Sequence, residues 1–520
     1  MNGTRRAGPF RPGGEHLILI AALLPAIGLA AAFWGYTLDD SFITFRYAKN
    51  LAAGLGPVFN AEGPHAEGST GFLWVLVMAL PHLVGMDALL FAKLAGFAAL
   101  ATSAAAAGAI GYQLTEGRDP PARRSVAATA AAIVATIPVL HVSAVSGMET
   151  ALFTAATTAF FAAQVAFARQ PGPRFAAAIA ALALTMGLTR PEGNLVAGAG
   201  IAASLLLAAP ADRRALLTRS LALFVVPGAL FFAWRYRYYG HPFPLSFYLK
   251  VAGQGGFAGL GSVISFVGWI AVHLGLPLLF GVVALTADDP ARRRAAPPIV
   301  AALALVAFMT RPAHIMGENH RFLVPITPLA AAVAALGLGA IEAAIAASTP
   351  RRLPVMLVRY GAVALIAASF LVRARPFLDS ARAYGTGLRT AHMALGKRLA
   401  RWSGNQGRAP LLAIADAGAV PYYSGWRAID TFGLNDVHIA LAHDHAPAYV
   451  LDQGPDVIVL LSRSGRAYEP MIGWEKDLYD AARARGLAEV KTLAFAPDSY
   501  HLLVLAVPGS PIGEDLRSWR

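Results

Sequence analysis

Apolar runs of about 15–25 residues recur along the first 372 positions, and a membrane-crossing helix needs about 20 such residues. Runs at 16–35, 88–112, 126–142, 150–168, 174–190, 193–209, 215–234, 258–285, 296–310, 322–347 and 354–372 are expected to span. Charge is distributed to match. Of 43 Lys+Arg and 30 Asp+Glu, residues 373–520 hold 17 and 15, which leaves 41 charges for the 372 residues before them. Charged residues make up 14% of the chain, against about 25% in soluble domains. The chain therefore reads as a polytopic α-helical membrane domain, 1–372, followed by a water-soluble domain, 373–520.

The net charge of +13 does not point to nucleic acid, because the excess sits in short clusters between apolar runs. Arg5/Arg6/Arg11, Arg118/Arg123/Arg124, Arg169/Arg174, Arg213/Arg214/Arg219, Arg292/Arg293/Arg294 and Arg351/Arg352/Arg359 fall in every second connection. By the positive-inside rule these mark the cytoplasmic side. The alternation holds if 69–85, with Pro81 and His82, lies at the outer interface instead of crossing. Eleven spans then place the N-terminus inside and residues 373–520 outside. The first apolar run has basic flanks and no small-residue cleavage site, so it reads as an uncleaved helix. With no cysteine, disulfides and thiolate chemistry are excluded.

The remaining, outer loops collect unusual polar residues. The first (36–87) carries Leu38-Asp39-Asp40-Ser41-Phe42-Ile43-Thr44-Phe45-Arg46-Tyr47-Ala48, and then Glu67. Others carry Ser146-Gly147-Met148-Glu149-Thr150, Thr189-Arg190-Pro191-Glu192-Gly193, Tyr239 to Lys250 and Glu318-Asn319-His320-Arg321-Phe322. Taken singly, each is also how an ordinary helix start looks, since Asp and its like cap helices. Taken together, they gather acids and bases at one face, where ionisable residues are costly and mark function. An anionic, lipid-linked substrate and a carboxylate base would use such a set.

The segment LDDSFITFRYAKNLAAGLGPVFNAEGPHAEGSTGFLW resembles the first extracytoplasmic loop of GT-C glycosyltransferases, nearest the bacterial terminal arabinofuranosyltransferase-like branch. SGMET, TRPEG, YYGHPFPLSFYLK, HRFLVP and IADAGAVPYYSGWRAIDTFGLND follow in the order of that branch, so the resemblance covers essentially the whole chain. Ser69-Thr70-Gly71 and Ala66 depart from its pattern, which bears on the sugar and acceptor more than on the reaction. The resemblance implies a GT-C fold, a polyprenyl-phosphate sugar donor, interfacial helices in the first loop and a catalytic aspartate there.

Transfer from a polyprenyl phosphate needs a base for the acceptor hydroxyl, cations for the leaving phosphate and an apolar groove. Asp39, matching the family's base, is the expected base, with Asp40 orienting an arginine or holding a metal. Arg46, Arg190, Lys250, His320 and Arg321 are the expected phosphate ligands. Glu67, Glu149, Glu192, Tyr239 and Tyr248 are expected to contact substrate. Mg²⁺ or Mn²⁺ would find oxygen ligands in Asp39, Asp40, Glu149 and Glu192, but no linear spacing singles out a site.

Residues 373–520 read as α/β, with a helix at 378–401, buried strands at 411–415, 457–461 and 501–506, and a helix at 471–485 closed by Gly486. Tyr422, Trp426, Asn435 and Asp436 form an aromatic and polar set suited to carbohydrate. The same residues would also serve to pack this domain onto the membrane part. The expected partners are the donor lipid, a glycan, lipid or protein acceptor, and the bilayer. A lipid transporter or flippase is the rival class; internal repeats, which often mark transporters, are not seen in the sequence.

Overall fold

The computed structural model describes residues 15–249, 260–284, 289–309, 318–348, 352–403, 409–496 and 500–519. Helix α1 (Glu15–Phe33) leads into the first loop, which holds α2 (Asp40–Ala52) and α3 (Phe72–Leu83). Next come α4 (Ala88–Leu114), α5 (Pro120–Ala135), α6 (Pro138–Val145), α7 (Thr150–Arg169), α8 (Pro173–Thr189), α9 (Glu192–Leu207), α10 (Pro210–Ser220) and α11 (Val226–Tyr239). Helices Leu260–Val283, Asp289–Met309, Thr327–Ser348 and Arg352–Gly387 complete the membrane part.

All eleven apolar runs fall on helices. Among the described residues, seven helices are long and apolar enough to cross a membrane, or eight if α5 and α6, bent by 59°, are one span. The runs expected at 174–190 and 193–209 are helices of 17 and 16 residues. The run at 296–310 lies in a helix that opens on three arginines. The protein is a polytopic membrane protein. Its outward apolar surface agrees, since α1 turns Leu17, Ile20, Leu24 and Ile27 away from the bundle, as a lipid-facing helix does. Inside, small residues let backbones approach. A Cβ at Gly96 of α4 would collide with the Ala144 carbonyl of α6.

The C-terminal domain is extramembranous α/β. β1 (Leu411–Ile414), β2 (Arg427–Asp430), β3 (Val457–Ser462), β4 (Ala488–Ala496) and β5 (Tyr500–Ala506) form one sheet in the order β2-β1-β3-β5-β4. β1 pairs in parallel with β2 and β3, while β5 is antiparallel to β3 and β4. β1 and β3 are buried along their whole length, which is why they read as unbroken apolar runs. β2 and β4 escape that reading. β2 begins on an exposed arginine, and β4 carries Glu489 and Lys491 with register shifts against β5.

The helix Arg352–Gly387 runs through position 372 and continues through a π-helical turn (Leu388–Met393) into Ala394–Leu399. The two regions share a hydrophobic core. Phe42 and Phe45 of α2 and Trp74 and Met78 of α3 pack in one cluster with Leu395, Val420 and Trp426. Burying a side chain of this size contributes about 1.5–3 kcal/mol, so the C-terminal domain is seated firmly on the first loop.

Candidate active site

Asp39 precedes α2 without capping it. Its carboxylate accepts instead from the N–H groups of Gly418 (3.0 Å) and Ala419 (2.8 Å), at the start of the short helix Ala419–Ser424. Its own N–H donates to the Tyr384 hydroxyl at 3.2 Å. Asp39 is 7% exposed, and burial pushes its carboxyl up to about 7. Gly418 fits here because it lacks a side chain: a Cβ would collide with the carbonyl and carboxyl of Asp39.

Asp40 points elsewhere. Its Oδ2 lies 3.7 Å from Nη2 of Arg321. The Arg321 guanidinium sits 5.5 Å from the Phe322 ring centroid, and Arg190 covers the same ring at 4.8 Å. Arg190 bonds Glu192 at 2.5 Å and Glu149 as well, all three buried. Asp40 thus pairs with Arg321, and Arg190 with Glu149 and Glu192, with both arginines against the Phe322 ring. Lys250 lies outside the described residues, and so does the side chain of His320.

Arg46 is committed to structure. Its guanidinium donates to Phe59 O (2.6 Å), Pro421 O (2.5 Å), Trp426 O (2.7 Å) and Asn60 Oδ1 (3.0 Å), over the Phe59 ring. Four bonds consume the donors a phosphate would need, so Arg46 is a clamp on the C-terminal domain and not an anion ligand. The C-terminal aromatic set is corrected likewise. Trp426 is fully buried, and Tyr422 packs against Phe42 and Phe45. Asn435 binds the Asp430 carboxylate and the Tyr47 hydroxyl, and Asp436 caps the next helix through Ile439 N–H. The apolar face of α2 needs a cover, and Tyr422 and Trp426 supply it. Tyr239 donates to Pro57 O at 2.8 Å, and Tyr248 packs with His241 and Phe243; both hold loops together.

Beside the cluster lies a groove of 460 Å³ whose walls include Leu184, Leu188, Phe224, Phe231 and Phe243. Thr70 and Pro191, neighbours in sequence of Ser69 and Arg190, also line it. At its polar end Glu67 and Arg235 pair at 2.6 Å. Among the described residues, one oxygen of Glu67 and Nη2 of Arg235 are buried without hydrogen-bond partners. Burial raises the Glu67 carboxyl, against the pull of Arg235.

An apo structure of ArnT from Cupriavidus metallidurans superposes with a TM-score of 0.60, over 94% of this chain and 98% of that one, at 15% identity. The GT-C-like fold is shared. ArnT bound to undecaprenyl phosphate gives 0.57 over 95% and 98%, also at 15% identity. The Archaeoglobus fulgidus oligosaccharyltransferase tethered with an acceptor peptide gives 0.53 over 86% and 69%, at 11%. In sequence, the terminal beta-(1->2)-arabinofuranosyltransferase of Mycobacterium tuberculosis is 28% identical over 293 residues, 52% of this chain and 45% of that protein. The Corynebacterium glutamicum protein of the same name is 40% identical over 85 residues, 15% and 12%. The chain thus matches less than half the length of these curated relatives. Residues 383–504 match the family model of a domain of unknown function, DUF8728.

Among the described residues no three His, Cys, Asp or Glu side chains gather as a cation would require. The acids named for that role are separately engaged: Asp39 on amides, Asp40 beside Arg321, and Glu149 and Glu192 on Arg190. Arg235 escapes the sequence reading because the run 215–234 stops one residue short of it. An arginine near the end of an apolar helix is itself a functional signal, and α11 extends past it to Tyr239. His392 and Tyr500 are likewise missed, since they meet Asp416 only through the fold.

Proposed function

We propose that this protein is an inverting glycosyltransferase that moves a sugar, of which arabinofuranose is the leading candidate, from a polyprenyl phosphate to a cell-envelope acceptor. The carrying observation is a phenylalanine-lined groove that holds the Glu67–Arg235 pair and is also walled by Pro191, which lies between Arg190 and Glu192 of the buried charged cluster. The fold shared with ArnT, a structure of which holds undecaprenyl phosphate, supports a lipid phosphate as leaving group. The names of the two curated relatives support the sugar. By the positive-inside rule the arginine-rich connections support a site on the extracytoplasmic face of a bacterial inner membrane, with the N-terminus in the cytoplasm.

In this reading the groove takes the isoprenoid chain, and Arg321 and Arg190 lie on the phosphate side. The acceptor oxygen attacks the anomeric carbon from the face opposite the phosphate and gives its proton to a carboxylate of the Asp39–Asp40 pair. The bond from the anomeric carbon to the phosphate oxygen breaks, and the electron pair leaves with polyprenyl phosphate. Charge building on that oxygen meets preorganised guanidinium groups. Purified protein in nanodiscs, given a panel of radiolabelled polyprenyl-phosphate sugars, should release polyprenyl phosphate from one of them. Movement of intact labelled lipid between leaflets without cleavage would establish a transporter instead.

A further inference from the structure

We propose that the two adjacent aspartates divide the work: Asp40 accepts the proton, and Asp39 is a positioning residue through which the C-terminal domain holds the loop. This rests on the glycosyltransferase reading. Both oxygens of the Asp39 carboxylate are spent on C-terminal backbone amides, one on Gly418 and one on Ala419. The peptide N–H of Asp39 is spent on Tyr384. Behind these amides Asp416 accepts from His392 Nε2 at 3.0 Å and from Tyr500 OH at 2.9 Å, which fixes the turn from the domain side. A carboxylate so held, on a residue 7% exposed, is committed to the C-terminal backbone.

Helix α2 grips the helix Ala419–Ser424 at both ends, and the signs of charge agree with what those ends expose. The Asp39 carboxylate meets unbonded N–H groups at its start. Arg46 takes the carbonyls of Pro421 and Trp426 toward its end. One residue further along α2, about 100° around the helix, Asp40 leaves this contact and faces Arg321. Arg321 has a buried Nε with no hydrogen-bond partner among the described residues. Of the pair, only Asp40 stands beside the cations that would receive the phosphate.

The test uses the full chain in nanodiscs with donor cleavage, its split between kcat and KM, and hydrogen exchange at the Gly418 and Ala419 amides. Asp40→Asn should lower kcat about 10²–10⁴-fold, change KM little and leave those amides protected. Asp39→Asn keeps one acceptor oxygen, so it should lose less than about 10-fold in kcat and expose one amide. Ala419→Pro deletes one donor while leaving the Asp39 carboxylate intact, and should reproduce Asp39→Asn. The division is overturned if Asp39→Asn abolishes turnover while the amides stay protected, or if Asp40→Asn turns over normally. Should wild type cleave no donor, the glycosyltransferase reading fails. Exchange at the two amides in Asp39→Asn then still decides the positioning role.

Discussion

Glu67 and Arg235 show how a single pair can matter beyond its own bond. Both are buried, they meet at 2.6 Å, both line an apolar groove, and each keeps a buried atom without a hydrogen-bond partner among the described residues. Removing one member of a buried ion pair costs about 3–5 kcal/mol, because the other charge is left without compensation. Arg235→Met should therefore lower the melting temperature of the solubilised protein, and adding Glu67→Leu should recover most of the loss. Recovery of donor turnover is not expected in the double variant, because the groove would no longer end on polar atoms. Glu67 was legible in the sequence as an acid in a polar loop. Arg235 was not, since nothing local says that a loop acid comes back to meet it 168 positions later.

Among elements, the most informative contact is that of α2 with the C-terminal domain. Its aromatic spacing is legible in the sequence, and so are the eleven apolar runs and three of the five strands. Sequence spacing does not say what an aromatic face will cover, and here Tyr422 and Trp426 turn inward to cover α2. β2 and β4 were illegible for a related reason, as edge strands with charged residues lack the continuous apolar run of a buried one. The sheet also holds a testable titration. Glu475 is fully buried, accepts from Leu461 N–H at 3.1 Å, and burial pushes its carboxyl up to about 8. A raised carboxyl binds its proton more tightly folded than unfolded. Its stabilisation is full below about pH 4.5 and is lost as pH rises through about 8. Glu475→Gln keeps an acceptor for Leu461 without the titration. The wild-type melting temperature should therefore fall relative to the variant between pH 5 and pH 9, by about 2–4 °C for each kcal/mol lost. Parallel curves would show that Glu475 does not titrate in this range.

At the scale of the molecule, membrane and C-terminal parts are joined by one continuous helix, Arg352–Gly387, in place of a linker. Thirty-six residues make a rod about 54 Å long. Such a joint sets a rotational phase as well as a distance. One alanine inserted after Arg375 would turn everything beyond it by about 100° and advance it by about 1.5 Å. A rotation of that size carries Gly418 and Ala419 away from Asp39, although no contact residue has changed. Donor cleavage should fall and both amides should exchange freely, while the same alanine inserted in the 443–446 loop should do neither. The molecule is in this sense keyed: the last span works as a shaft, its angle is part of the active site, and the C-terminal domain fits the first loop only at one setting of it.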